Sequence, residues 1–157
     1  MQQILPDDAR IIGTHPMFGP DSGKNDIRGL PICFCPVQVD DDIALFWRSV
    51  FADMGLKIYD LSPEDHDHEA ASTQGVTHFV GRVLDNLKLA PSEISTVGYS
   101  RLLEIVEQTC NDPYQLFLDL QRYNPYTNEM RSRLSGALES VLEALETPNL
   151  DTGTSQT

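Results

Sequence analysis

Apolar residues in the first 61 positions form three short runs and one stretch with helical spacing. The short runs predict β-strands at residues 10–14, 30–39 and 56–61. Between the last two, apolar residues recur three and four positions apart from Ile43 to Met54. This spacing predicts an amphipathic helix, capped by the aspartates at 40–42 and ended by Gly55. Strand, helix and strand with short links form a βαβ unit, so these two strands are predicted to be parallel.

From residue 62 onward the pattern is helical only. Ser62, Pro63 and the acidic residues after them are typical of a helix start, and that helix is predicted to end near residue 89. Proline-containing breaks then separate a helix at about 95–110, a third ending near 123 and a fourth ending near 146. The polar tail at 147–157 is predicted to be disordered. The chain therefore divides into an α/β part at 1–61, an all-α domain at 62–146 and the tail.

The α/β part is too small to bury its own sheet. Three strands and one helix would leave a sheet edge and much of both faces uncovered. The whole chain has 157 residues and 40% hydrophobic content, enough for one domain plus part of another. We therefore expect residues 1–61 to be the C-terminal remnant of a larger sheet domain.

Composition excludes several classes of partner. The formal net charge of -13, from 24 acidic and 11 basic residues, disfavours nucleic acid and anionic membranes. The chain has no apolar stretch near the ~20 residues of a membrane helix and begins with no secretory signal pattern. Its cysteines are odd in number and have no framework spacing, which predicts a cytoplasmic location. Cys33 and Cys35 alternate along a strand, so packing is favoured over metal or redox chemistry.

Two features carry candidate chemistry. His15 directly follows the first predicted strand and is fixed by Pro16, at the strand end where α/β sheets place ligands. On the residues alone, a surface histidine in a turn explains it equally well. On the helix from Pro63, a spacing of 100° per residue places a mixed polar and small-residue stripe on one face. A helix contact with a core histidine is the simpler explanation of that stripe, whose members are Asp67, Ala71, Gln74, His78 and Gly81.

Other motif-like stretches fail on inspection. Residues 19–25 resemble a P-loop, but the glycine spacing is one short and Asn25 replaces Ser or Thr. His66 and His68 are two apart on a helix and point to different sides, so no metal site is predicted. A hydrolase using these two histidines and His78 is a minor alternative. The sequence contains no Gly-x-Gly-x-x-Gly, so the usual dinucleotide phosphate site is absent from it.

Two longer motifs carry a family resemblance. The run Gly-Thr-His-Pro-Met-Phe-Gly-Pro-Asp-Ser-Gly-Lys at 13–24 resembles the His-Pro-Met-Phe-Gly signature of prephenate and arogenate dehydrogenases, especially the plant arogenate dehydrogenases. A second match spans 64–84, and a looser third one includes Gly98 and Tyr99. Together they cover roughly residues 11–145. The second match contains His66-Asp67, Ala70-Ala71, Gln74, Thr77-His78 and Val80-Gly81-Arg82-Val83-Leu84.

The resemblance implies a fold and an activity. The fold is the last strands of a Rossmann-like parallel sheet followed by a helical substrate-binding and dimerisation domain, whose helices pack with a second copy to form a homodimer. The activity is oxidative decarboxylation of prephenate or arogenate in tyrosine biosynthesis, with hydride transfer to NAD or NADP. By the motif match, His15 is the catalytic base that takes the C4 hydroxyl proton. Neutral imidazole suits this task because its ordinary pKa of ~6.5 lies near working pH.

The resemblance also implies substrate contacts. His78 matches the family's substrate-contacting histidine, supported by Gln74 and Thr77. Simpler bacterial relatives carry an arginine that binds a substrate carboxylate where this chain has Glu107. We expect Glu107 to meet the ammonium of arogenate. The remaining candidates are Arg82 or Arg101 for the carboxylate, and Pro16 and Met17 for cofactor contact.

A non-catalytic dimerisation remnant, or pseudoenzyme, is the rival hypothesis. The absent glycine-rich loop favours it, because without that loop the chain cannot hold a dinucleotide by itself. The retained His15 and His78 favour an enzyme.

Overall fold

The computed structural model describes residues 4–146, which divide into two compact units at the boundary between Glu69 and Ala70. We describe each unit by itself. The predicted disordered tail at 147–157 lies outside the described residues, and the domain boundary at 61 and 62 stays a prediction. Within residues 4–146, no helix combines the length and the apolar character that crossing a membrane requires.

The first unit contains a three-stranded sheet in the order β1-β2-β3. Its strands are β1 (Ile11–Pro16), β2 (Pro31–Gln38) and β3 (Lys57–Asp60). β2 and β3 are parallel, which confirms the predicted βαβ unit. β1, however, is antiparallel to β2, so the sheet is mixed and not the parallel sheet expected. The connection between them holds only the four-residue α1 (Pro20–Gly23), too short for the crossover helix that a parallel pair requires.

β2 is the central strand and supplies the core of this unit. Residues 32–35 are buried in succession, and Phe34 is only 1% exposed, as expected for a strand covered on both faces. The helix α2 (Asp41–Asp53) sets the ring of Phe51 edge-on to Phe34. Gly55 follows this helix with φ of +80°, where a side chain would overlap that of Arg28. The predicted glycine stop is therefore confirmed.

The helices follow the predicted proline breaks. They are α3 (Pro63–Ala70), α4 (Val76–Asn86), α5 (Val97–Cys110), α6 (Tyr114–Tyr123) and α7 (Thr127–Glu146). The single helix predicted from residue 63 is interrupted by a π-helical segment, Ala71–Gly75. A π-helix takes more residues per turn than an α-helix, so the 100° spacing used for the predicted stripe does not hold across it.

Small residues and a polar network hold the second unit together. Gly81 of α4 lies against the fully buried Thr109 of α5, so closely that an added Cβ would overlap the threonine hydroxyl. The amide of Gln121 donates to the Gly75 carbonyl at 2.9 Å. Arg131 in turn donates to the Gln121 carbonyl at 2.8 Å. These buried polar groups are therefore mutually satisfied, as a low-dielectric interior requires.

Candidate functional site

His15 is the next-to-last residue of β1 and does not follow the strand as predicted. The strand is longer than its apolar run because Thr14, His15 and Pro16 stay in register with β2, with His15 opposite Cys33. Ile11, Gly13 and His15 alternate along the strand and share one face. That face borders a cavity of about 310 Å³ whose lining includes Cys35 of β2 and His66 of α3.

A chain of side-chain contacts runs from His15 to a carboxylate. Nδ1 of His15 lies 2.9 Å from Nε2 of His66, and the two rings meet edge to face with centroids 5.1 Å apart. Nδ1 of His66 lies 2.9 Å from Oδ1 of Asp67. The start of α3 at Pro63 places His66 one turn into the helix, where its Nε2 meets β1. Three titratable groups are thus linked in series inside the first unit.

The surroundings favour a neutral imidazole at His15. Burial lowers the pKa of His15 below its ordinary value of 6.5, and the neighbouring His66 lowers it further. Burial also raises the pKa of the Cys33 and Cys35 thiols, so both are uncharged at neutral pH. A half-buried neutral imidazole beside a cavity can accept a proton from a bound hydroxyl group.

Sequence reasoning missed the pairing of His66 with His15. On the sequence alone, His66 is a poor metal ligand and a member of the second motif match, with no role beside His15; residues 4–146 contain no cluster of three potential metal-binding side chains. The available signal was its place beside Asp67 in the second motif match. The contact itself joins residues 51 positions apart, which local spacing does not reveal.

His78 and Arg82 lie one turn apart on α4, in the second unit. Nδ1 of His78 and Nε of Arg82 are both buried, and neither has a hydrogen-bond partner among residues 4–146. Burial is the main cause that lowers the pKa of His78; Asp112 opposes the shift and Arg82 adds to it. Leaving such atoms unpaired costs about 1–3 kcal/mol each.

The other predicted substrate residues differ in how strongly they are held. Arg82 donates through Nη2 to the Asp112 carbonyl at 3.0 Å and stacks over the rings of Tyr114 and Phe117. This packing supports a structural role for its guanidinium. The Thr77 hydroxyl donates to the Thr73 carbonyl at 3.0 Å, and Gln74 is partly exposed.

Arg101 and Glu107 are both exposed on α5. They are six positions apart, which places them roughly 120° apart around the helix. The helix therefore does not bring these two side chains together on one face.

The residues of this chain do not fit the phosphates of a dinucleotide. The sequence has no glycine-rich turn, and the helix after the His15 strand, α1, has only four residues. Of the two predicted cofactor contacts, Pro16 is exposed, and the backbone N–H of Met17 donates to the Pro31 carbonyl at 2.9 Å.

Comparison with known proteins confirms the resemblance. Residues 83–156 match the family model described as TYRAAT1-like, C-terminal domain. The chain is also similar to arogenate dehydrogenase 2, chloroplastic, of Arabidopsis thaliana. The two are 42% identical over 148 residues, which cover 91% of this chain and 41% of that protein.

Two solved structures share the fold. The arogenate dehydrogenase of Synechocystis aligns with a TM-score of 0.60 and 19% identity, over 88% of this chain and 56% of its own. The prephenate dehydrogenase of A. aeolicus, in complex with hydroxyphenyl propionate and NAD+, aligns with a TM-score of 0.59 and 20% identity. This alignment covers 86% of this chain and 53% of the A. aeolicus chain. The shared fold is a small sheet followed by helices. The chain thus spans about two fifths to just over half the length of these three proteins.

Proposed function

We propose that this chain supplies the proton acceptor and the substrate-binding helices of an arogenate or prephenate dehydrogenase of tyrosine biosynthesis. The observation that carries the proposal is His15, the motif histidine, which borders a cavity with one ring nitrogen engaged by His66. The 42% identity to a plant arogenate dehydrogenase supports the substrate class. The A. aeolicus structure, which contains NAD+ and hydroxyphenyl propionate, supports the proposal of a dinucleotide and a phenolic product.

The proposed role of His15 is to accept the proton of the hydroxyl group on C4 of the substrate ring. Loss of hydride from C4 turns this alcohol towards a ketone, and Nε2 of His15 takes the hydroxyl proton as that happens. The bond from the ring to its carboxylate then breaks, CO2 leaves, and the electron pair makes the ring aromatic. The oxygen at C4 takes the proton back and becomes a phenol, so protons and electrons balance.

NAD or NADP, when bound, would accept the hydride. Because this chain's residues do not fit the dinucleotide phosphates, we assign no step to the dinucleotide. The predicted cytoplasmic location also stays a prediction, since the plant relative is named as chloroplastic.

We propose that arogenate is preferred over prephenate as the substrate. Glu107 is exposed and would meet its ammonium group, whereas a glutamate would repel a second carboxylate. Arg82 or Arg101 would hold the carboxylate; Arg82 is already packed, and Arg101 faces roughly 120° away from Glu107. The ammonium and the carboxylate of this amino acid are attached to one carbon, so Arg101 and Glu107 of the same helix would not hold both groups of one molecule together.

A reconstituted assay tests the proposal. The chain would be combined with the nucleotide-binding half of the Arabidopsis relative. The formation of reduced dinucleotide would be followed by absorbance, with arogenate and with prephenate as substrates. We expect turnover in wild type and in the exposed-histidine control His68→Asn, with His15→Asn defining the background. Wild-type turnover no greater than that of His15→Asn would refute the proposed function.

Glu107→Gln tests the substrate preference in the same assay. It removes the charge proposed to meet the ammonium, so KM for arogenate should rise about 10-fold, as expected for a lost charge-assisted hydrogen bond. KM for prephenate, which has no ammonium, should not rise. Equal effects on both substrates would contradict the assignment.

We also propose that a second copy of the chain covers α7. Its last three turns expose Leu138, Val141, Leu142 and Leu145, by 51% to 78%, at the spacing of one apolar helix face. Light scattering should show a dimer that Leu142→Glu weakens and Ser140→Glu, on another face, does not. The remnant hypothesis also predicts this dimer but no turnover, so the turnover assay separates the two alternatives.

A further inference from the structure

We infer that His66 and Asp67 are positioning residues that hold the ring proton of His15 on Nδ1 and so make Nε2 its proton-accepting nitrogen. The inference rests on the proposed function for its catalytic meaning. The proton arrangement itself follows from contacts within the first unit.

The first step is the contact between Asp67 and His66. A carboxylate can only accept hydrogen bonds, so the 2.9 Å contact between Oδ1 of Asp67 and Nδ1 of His66 requires a hydrogen on that nitrogen. A neutral imidazole carries one ring hydrogen. In neutral His66, Nε2 therefore holds a lone pair.

The second step is the contact between the two histidines. Nε2 of His66 accepts, so Nδ1 of His15, 2.9 Å away, must donate. Neutral His15 then has no hydrogen on Nε2. With both rings neutral, this is the one arrangement that satisfies both hydrogen bonds. A protonated His66 would reverse the second bond and place the His15 hydrogen on Nε2, which is the competing arrangement.

Other titratable groups near His15 do not change this arrangement. The thiols of Cys33 and Cys35, on the paired strand β2, are neutral because burial raises their pKa. On α3 the groups facing His15 are His66 and, through it, Asp67. The remaining ionisable residues of that helix occupy exposed positions and are Glu64, Asp65, His68 and Glu69.

The arrangement gives the proton acceptor a counter-charge. When Nε2 of His15 takes a proton, the positive charge is stabilised through His66 by the Asp67 carboxylate. A serine-protease aspartate acts in the same way: it orients a histidine and stabilises its cation without taking the proton. Asp67 is partly exposed, so solvent weakens this effect and the fixed tautomer is the more robust consequence.

Nitrogen NMR on the 157-residue chain reads the tautomer directly. Long-range couplings of 15N-labelled histidine distinguish a hydrogen on Nδ1 from one on Nε2. The signals that disappear in His15→Asn are those of the His15 ring. Above pH 7 we expect His15 in the Nδ1–H form. A wild-type His15 with its hydrogen on Nε2 would overturn the inference.

Asp67→Asn provides the decisive variant. Its amide can donate to Nδ1 of His66 as well as accept from it, so a hydrogen on that nitrogen is no longer required and His15 should shift towards the Nε2–H form. Asp53→Asn, an exposed charge removal on α2, should leave the Nδ1–H form unchanged. If Asp67→Asn fails to fold, His66→Gln cuts the same chain and should release His15 from the Nδ1–H form. A tautomer unchanged in the folded variant would also overturn the inference.

The NMR test needs no substrate and no dinucleotide, so its outcome does not depend on the proposed function. In the reconstituted assay, Asp67→Asn should lower kcat with KM unchanged, by no more than the ~10²–10⁴-fold that a positioned base contributes. An Nδ1–H tautomer together with absent turnover refutes the function alone. Turnover together with an Nε2–H tautomer refutes the positioning role alone.

Discussion

His15 and His78 are half-buried imidazoles with opposite surroundings. Burial is the main cause that lowers the pKa of each. Nδ1 of His15 is paired with His66, whereas Nδ1 of His78 has no partner among residues 4–146. A paired ring has a fixed tautomer and suits the proposed proton transfer, whereas the ring of His78 has no hydrogen bond at Nδ1 that would fix its tautomer. The difference supports the proposed proton transfer at His15 and the proposed substrate contact at His78.

The same substitution in both histidines gives the largest expected effect. In the reconstituted assay, His15→Asn should lower kcat by about 10²–10⁴-fold, because it removes the proposed base but keeps a polar group of similar size. His78→Asn should raise KM and leave kcat nearly unchanged. Steady-state kinetics decide, and a kcat loss of equal size in both variants would remove the distinction.

Alanine substitutions at two glycines compare the stability effect of a methyl group added at a packed and at an open position of the second unit. Gly81→Ala should lower the free energy of unfolding by roughly 1–3 kcal/mol, because the new methyl group overlaps buried Thr109. Gly136→Ala on α7 meets no atom within 4 Å and should raise it by about 0.5–1 kcal/mol through helix propensity. Urea denaturation measures both, and Thr109→Ala should partly rescue Gly81→Ala. A neutral Gly81→Ala would show that α4 and α5 can separate without cost.

Phenylalanine replacements test the pairing difference through stability. His15→Phe leaves Nε2 of His66 without its donor and should cost about 1–3 kcal/mol. His78→Phe removes an unpaired buried nitrogen and should leave the free energy of unfolding within about 1 kcal/mol of wild type. If His78→Phe were as costly as His15→Phe, Nδ1 of His78 would have a partner in solution.

The pH dependence of stability is the smallest expected effect. Both histidines have folded-state pKa values below 6.5, so the unfolded chain binds their protons more readily. Their contribution to stability is therefore present above pH 6.5 and is lost as pH falls from 6.5 through the folded-state pKa values. Denaturation midpoints between pH 8 and 5 should fall less steeply in His78→Phe than in wild type.

The sequence predicts local features of this fold better than the features that depend on tertiary contact. Apolar runs locate the three strands, and proline and glycine positions locate the helix ends, because these signals act within a few residues. Strand direction at β1 is not encoded in its apolar run, so the antiparallel pairing was missed. Likewise, His15 stands out by its motif, but its pairing with His66 depends on how α3 meets β1.

The π-helical segment at Ala71–Gly75 has a consequence for insertions and deletions. A π-helical turn holds about one residue more than an α-helical turn, so the segment absorbs an extra residue without changing the direction that later residues face. Deleting one residue there would restore regular α-helix, and Gly81 would still lie against Thr109 of α5. Deleting one residue of α4 between the segment and Gly81 would instead turn Gly81 by about 100° away from α5. A change of one residue in chain length is therefore better tolerated within Ala71–Gly75 than in the helix that follows it.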